Sequence, residues 1–298
     1  GVIVWCNPVP TGTDCRDVSP HKIAKNMIKD TFFSMPRFAS ICRKEMVESW
    51  RPNLLRFVMM YGIMAIILIW AGFWQYLSKL PGSHNSEDIM WNITVWVFVI
   101  AIHIMGMLSA SFVMERMKSK TGRINILMTP ATMFEKFLSR WLIYTFAFLV
   151  CFLIAFKLAD WTRVVIYNIF YPDIEPIAPV PWDYFLKSGF YQAKSSISIN
   201  IAAYFCLQSF FVLGSVIWPK RSFVNTCVAL VCISIAYITV GVIVAKVFAE
   251  KYIEEPNGIF SSEDSFNFVV ISLCSFITLF NWTLAYFRFK ESEIINRW

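Results

Sequence analysis

Residues Phe57–Leu77 read FVMMYGIMAIILIWAGFWQYL, an unbroken apolar run without one Asp, Glu, Lys or Arg. Because an α-helix rises about 1.5 Å per residue, roughly 20 such residues cross the hydrocarbon core of a bilayer. Five further runs of this kind follow, at about Trp91–Val113, Trp141–Ala159, Ile199–Ile217, Phe223–Phe248 and Phe266–Phe287. All are helix-length and none shows the ten-residue alternation of an outer-membrane barrel strand. Trp70, Trp74, Trp91, Trp96, Trp141, Trp218 and Trp282 fall near the ends of these runs, where interfacial aromatic belts lie. The expected fold is all-α, with six transmembrane helices.

Composition supports this reading. The 298 residues are 57% apolar, 17% aromatic and 16% charged. Soluble domains carry about a quarter charged residues, so a soluble enzyme is excluded. The net charge of +7 gains meaning once it is sorted by side. With the N-terminus inside, the segments 1–56, 114–140, 218–222 and 288–298 hold 20 of the 27 Lys and Arg and nine of the 20 acidic residues. The inner face is then +11 and the outer face −4, as the positive-inside rule requires. Both termini are placed in the cytoplasm, and nucleic-acid binding is the poorer account of the charge.

Residues 1–34 carry Pro8, Pro10, Gly12 and Pro20 without helical period, and no basic-then-apolar signal-peptide pattern. Two readings remain, a cytosolic tail or a frame extended upstream of a start at Met27 or Met35. Both expect poor order there. The eight cysteines include no CxxC pair and none in an outer loop, so small apolar packing is the expected role.

Two inner segments stand out. Phe38, Ile41, Cys42, Met46 and Trp50 share one face of a basic amphipathic helix, with Arg43 and Lys44 among the charges opposite. Such a helix is expected to rest in the inner interface, with Pro52 marking the bend into the first span. The second segment, Glu115–Lys136, contains Thr132-x-x-Glu135, a capping box that opens the third span. Pro130 disfavours helix at Thr129. A separate short helix is therefore expected over about Thr121–Met128, with Ile124, Leu127 and Met128 on one side.

That second segment resembles the ABC-2-type exporter permeases. The resemblance rests on the pair Glu115–Arg116, then Gly122, Leu127, the Thr129–Pro130 turn and the third span, and Leu127–Phe137 is similar to a Bacteroidetes variant. It covers residues 35–298. It implies an inner-membrane permease subunit that dimerises, as a homo- or heterodimer, and binds a separate ATPase through the N-terminal amphipathic helix and the 115–130 loop. Thr121 and Arg123 belong to that implied coupling surface. ATP and Mg would be bound by the partner, with no cofactor in this chain. Two features depart from the family: the longer gap from Glu115 to Gly122, and a long aromatic, Pro-rich outer segment, 160–198, expected to lie extended on the outer leaflet.

The chain has no GxxxxGK[ST] loop, HExxH or GxSxG, and its three histidines are scattered. The intramembrane polar residues are His103, Asn200, Gln208 and Asn281, with Asn225 and Lys246 besides. Lys246 is expected to snorkel, and His103 to make an interhelical hydrogen bond. Gly106 and Ala110, four residues apart, are a small-residue packing pair. The apolar, aromatic spans suggest an amphipathic or lipid-like cargo. The alternative is a membrane anchor, assembly or sensory subunit without transport.

Overall fold

The computed structural model describes residues 33–77, 86–171, 177–187, 194–252 and 263–291. The expectation for residues 1–34 falls almost wholly outside them. Among the described residues all regular structure is helical: α1 (Met35–Glu48), α2 (Trp50–Gly72), α3 (Ser86–Ser111), α4 (Lys120–Met128), α5 (Met133–Phe170), α6 (Trp182–Lys187), α7 (Lys194–Ile217), α8 (Ser222–Tyr252) and α9 (Glu263–Glu291). Helices α2, α3, α5, α7, α8 and α9 are long and apolar enough to cross a membrane, the architecture of a multi-pass membrane protein.

The start of α2, the end of α3, the start of α5 and the end of α9 gather at one end of the bundle. Arg56 pairs there with Glu115, and Phe137 packs on Phe289 at 6.0 Å between ring centres. This is termed the basic end. One core block lies towards it, built on Ala110, Met114, Phe211, Ala285 and Phe289. A second lies towards the opposite end, built on Met64, Leu68, Val95, Phe152 and Phe156. At the tight α7–α8 turn, Arg221 takes φ 57° in the left-handed region. Gly214 there leaves no room for a Cβ against Thr226, so only glycine lets the two helices approach this closely.

Two expectations are corrected. The helix that carries the third span does not end at Ala159. Helix α5 runs 38 residues, from Met133 to Phe170, through a π-helical turn at Ile143–Ala147. Asp160 and Arg163 do not end it because they pair with each other at 2.7 Å, both side chains fully enclosed. Among the described residues, the segment 160–198, expected to be extended, is accordingly not extended throughout. It is helical to Phe170, and residues 177–187 fold back on α5: Asp160 accepts the Val180 N–H at 2.9 Å, and Asn168 accepts from the Ile177 N–H at 3.0 Å. Lys157 donates to the Val180 carbonyl and lies 4.7 Å from the Trp182 ring centre. Val180 and Phe185 complete the opposite-end core.

Helix α8 differs from the other spans. Phe223 stacks on Phe211 in its first turn, but every residue from 231 to 243 is exposed on all sides of the helix. The side chain of Lys246, and hence its expected snorkelling, lies outside the described residues.

Candidate functional site

At the basic end a lattice of charges ties α1 to α5 and to the α3–α4 connection. Glu135 is the centre of one half. Its carboxylate accepts from Arg37 at 2.7 and 2.9 Å, from the Ser34 N–H at 2.8 Å and from the Thr132 N–H at 3.2 Å. The last bond, with the Thr132 hydroxyl accepting from the Glu135 N–H, forms the capping box that opens α5. Glu45 is the centre of the other half, bonded to Arg140 at 2.8 Å and 3.4 Å from Arg116. Arg116 also pairs with Glu48 and donates to Ser49 at 2.7 Å. Lys44 reaches the Thr129 hydroxyl at 3.1 Å, fixing the end of α4.

This lattice decides which face of α1 meets the protein. Arg37, Ile41, Lys44, Glu45 and Glu48 follow helical spacing and point inward; Ile41 is buried among them. Met46, Val47 and Trp50 point away from the bundle, together with Arg43, while Phe38 is half-buried beside Phe33 at 5.5 Å. The apolar face expected over Phe38, Ile41, Met46 and Trp50 is thus split, because Ile41 goes with the charges. The helix breaks at Ser49, and Pro52 sits in the first turn of α2, where its missing N–H costs nothing.

The expected coupling residues divide in two. Glu115 and Arg116 are engaged within the chain, Glu115 with Arg56 while remaining exposed and Arg116 with α1. Gly122 packs so tightly on the Arg116 carbonyl that a Cβ would collide with it, and its N–H donates to Ser119 Oγ at 3.1 Å, which caps α4. Thr121 and Pro130 are exposed, Arg123 is half-buried, and the Leu127 side chain lies outside the described ones. Helix α4 buries Ile126 but leaves Ile124 and Met128 57% and 77% exposed.

The intramembrane polar residues also separate. His103 Nδ1 lies 2.7 Å from the Val99 carbonyl of its own helix, so the expected interhelical bond is replaced by an intrahelical one plus an edge contact with the Tyr204 ring. Asn281 donates to Ser209 at 3.0 Å, joining α9 to α7. Asn200 is half-buried. Gln208 is fully enclosed, yet neither its amide nitrogen nor its oxygen has a hydrogen-bond partner.

Gln208 has company that was not singled out in the sequence. Trp141 Nε1, Thr145 Oγ1, Tyr204 OH and Trp282 Nε1 are likewise buried and unpaired. Three of them, Trp141, Trp282 and Tyr204, are linked through ring contacts. The Trp141 and Trp282 rings meet at 4.8 Å, Phe205 bridges Trp282 and Tyr204, and Gly106 of α3 accommodates the Tyr204 ring. Among the described residues no group of three or more His, Cys, Asp or Glu could hold a metal ion.

The fold defines the chain as a six-helix membrane protein with a charge-latticed basic end and an uncharged polar core. No family model, curated protein or solved structure matches it.

Proposed function

We propose that the chain is the membrane permease subunit of an ABC exporter in the inner membrane, with both termini cytoplasmic, driven by a separate ATPase. The supporting observation is helix α4. It is fixed by the Ser119 cap, by Lys44 and by the close Gly122–Arg116 contact, yet presents Ile124 and Met128 outward. Large exposed apolar groups on a short, braced helix beyond the span ends suit a protein partner. Lys118 and Lys120 are exposed beside them, favouring a partner surface with acidic character.

In this reading α4 is the coupling helix and α1 the brace. Glu45 bonds Arg140 of α5 and Arg116 of the α3–α4 connection, so a displacement of α4 would reach α5 through charged contacts and α3 through the connection that Arg116 anchors. The permease works as a dimer and moves an amphipathic or lipid-like cargo. The test is co-purification of the native complex from membranes. The wild-type chain should retain an ABC ATPase, and Met128→Asp or Ile124→Asp should lose it without lowering thermal stability. Retention of the ATPase by both variants would refute the docking role. Absence of any ATPase would leave the anchor or sensory reading.

A further inference from the structure

We propose that the outward face of α1, together with the first two turns of α2, binds anionic phospholipid headgroups through Arg43 and Arg51. The proposal needs only that the chain lies in a membrane, and it stands or falls apart from the permease reading.

Three observations carry it. The first is which charges the bundle leaves over. Seven charged residues lie between Met35 and Met59. Five are engaged with the rest of the chain: Arg37 with Glu135, Lys44 with Thr129, Glu45 with Arg140, Glu48 with Arg116 and Arg56 with Glu115. The two that remain, Arg43 and Arg51, are both exposed cations, and neither has a hydrogen bond or ion pair among the described residues. The second observation is their setting. Ala39, Arg43, Met46, Val47 and Trp50 fall at i, i+4, i+7, i+8 and i+11, an exposed stripe that holds no carboxylate. Arg51, Leu54, Leu55 and Val58 fall at i, i+3, i+4 and i+7 and are likewise exposed along one face of α2. The two faces adjoin at Trp50 and Arg51, with only Ser49 between the helices.

The third observation decides the occupant. Leu54, Leu55 and Val58 belong to a helix long and apolar enough to cross a membrane, so their exposed side chains meet acyl chains. Arg51, one turn before them, then stands at the headgroup layer of the basic end, and its stem covers apolar surface while the guanidinium reaches phosphate. Guanidinium groups offer paired N–H donors to phosphate oxygens, and the Trp50 indole suits the same layer. A zwitterionic headgroup brings its own ammonium, which competes with the arginines for the phosphate. A headgroup of net negative charge brings none, so two unpaired cations beside an apolar stripe select anionic lipid. An acidic protein surface would answer the arginines but not the adjoining apolar face of the span.

The test uses the full chain in phosphatidylcholine nanodiscs containing a small fraction of phosphatidylglycerol, with retained lipid read by native mass spectrometry and no ATPase present. The wild-type chain should retain phosphatidylglycerol in excess over its bilayer fraction. Arg43→Gln and Arg51→Gln should each reduce that excess ~5-fold, as loss of one cation at the headgroup layer predicts. Arg43→Lys keeps the charge and should retain most of it. Arg288→Gln removes a cation at the same end that is already paired with Glu291, and should leave the excess unchanged. No enrichment, or enrichment indifferent to both glutamine variants, would overturn the proposal. An equal loss in Arg288→Gln would overturn it as well, because the total charge of the basic end would then be the attractant. Lipid retention indifferent to Arg43→Gln and Arg51→Gln, with loss of a bound ATPase from the native complex, would assign the face to an acidic protein instead.

Discussion

Removing the Glu135 carboxylate should release α1 from the bundle. Glu135→Ala deletes the acceptor for Arg37, for the Ser34 N–H and for the Thr132 N–H, while leaving the Thr132 hydroxyl to cap α5 alone. The carboxylate is fully enclosed, whereas the Arg37 side chain is 34% exposed, so the guanidinium recovers part of its hydration. Breaking a buried pair from one side costs about 3–5 kcal/mol, and the exposure of Arg37 places this case near ~3 kcal/mol. That corresponds to an increase of roughly a hundredfold in the local opening of α1. Hydrogen exchange in nanodiscs reads it directly: amides of 35–48 should lose protection by about that factor while those of 148–160 keep theirs. Glu135→Gln keeps one acceptor oxygen and should fall between the two. A cycle with Arg37→Met should give a coupling of ~1–3 kcal/mol. Unchanged protection over 35–48 in Glu135→Ala would mean that lipid rather than this carboxylate holds the helix, and the lattice argument would fail.

Asp160→Asn leaves Arg163 without its counter-charge in a fully enclosed site. It should cost about 3–5 kcal/mol and expose residues 177–187 to protease. Gly122→Ala drives a Cβ into the Arg116 carbonyl and should cost ~1–3 kcal/mol, read as faster exchange over 116–128. Gly214→Ala meets Thr226 in the same way and should lower the melting temperature by a comparable free energy. The Cys42 thiol is held above its ordinary value by burial, with the Glu45 carboxylate adding to the shift. A raised value means less thiolate at a given pH, so its maleimide labelling should lag a free thiol at pH 8 and keep rising above pH 9; a plateau matching free cysteine would contradict this.

Several elements were legible because their cause is local. The capping box at Thr132 and Glu135, the helix stop before Pro130, and the six apolar runs each depend on residues within a turn or one uninterrupted stretch. The continuation of α5 beyond Ala159 is hard to see in the sequence because Lys157, Asp160 and Arg163 look like a water-facing end. Their spacing of three held the contrary clue, since Asp160 and Arg163 neutralise each other on one helix face. Gln208 was visible as a polar residue in a span. The unpaired indoles of Trp141 and Trp282 were not, because tryptophans at such positions read as interfacial anchors.

The amino-acid sequence by itself determined the class of the protein and where its chain turns, since transfer of apolar runs out of water and the capping of backbone groups are set by near neighbours. Only the tertiary structure decided which way α1 faces. Glu135, Arg140 and Arg116 lie 68–98 residues from their partners Arg37, Glu45 and Glu48, and a charge's preferred face depends on where its counter-ion is brought. The polar core has the same origin. Trp141, Thr145, Tyr204, Gln208 and Trp282 come from three helices, and whether their polar atoms find partners is decided only when helix packing closes water away from each of them.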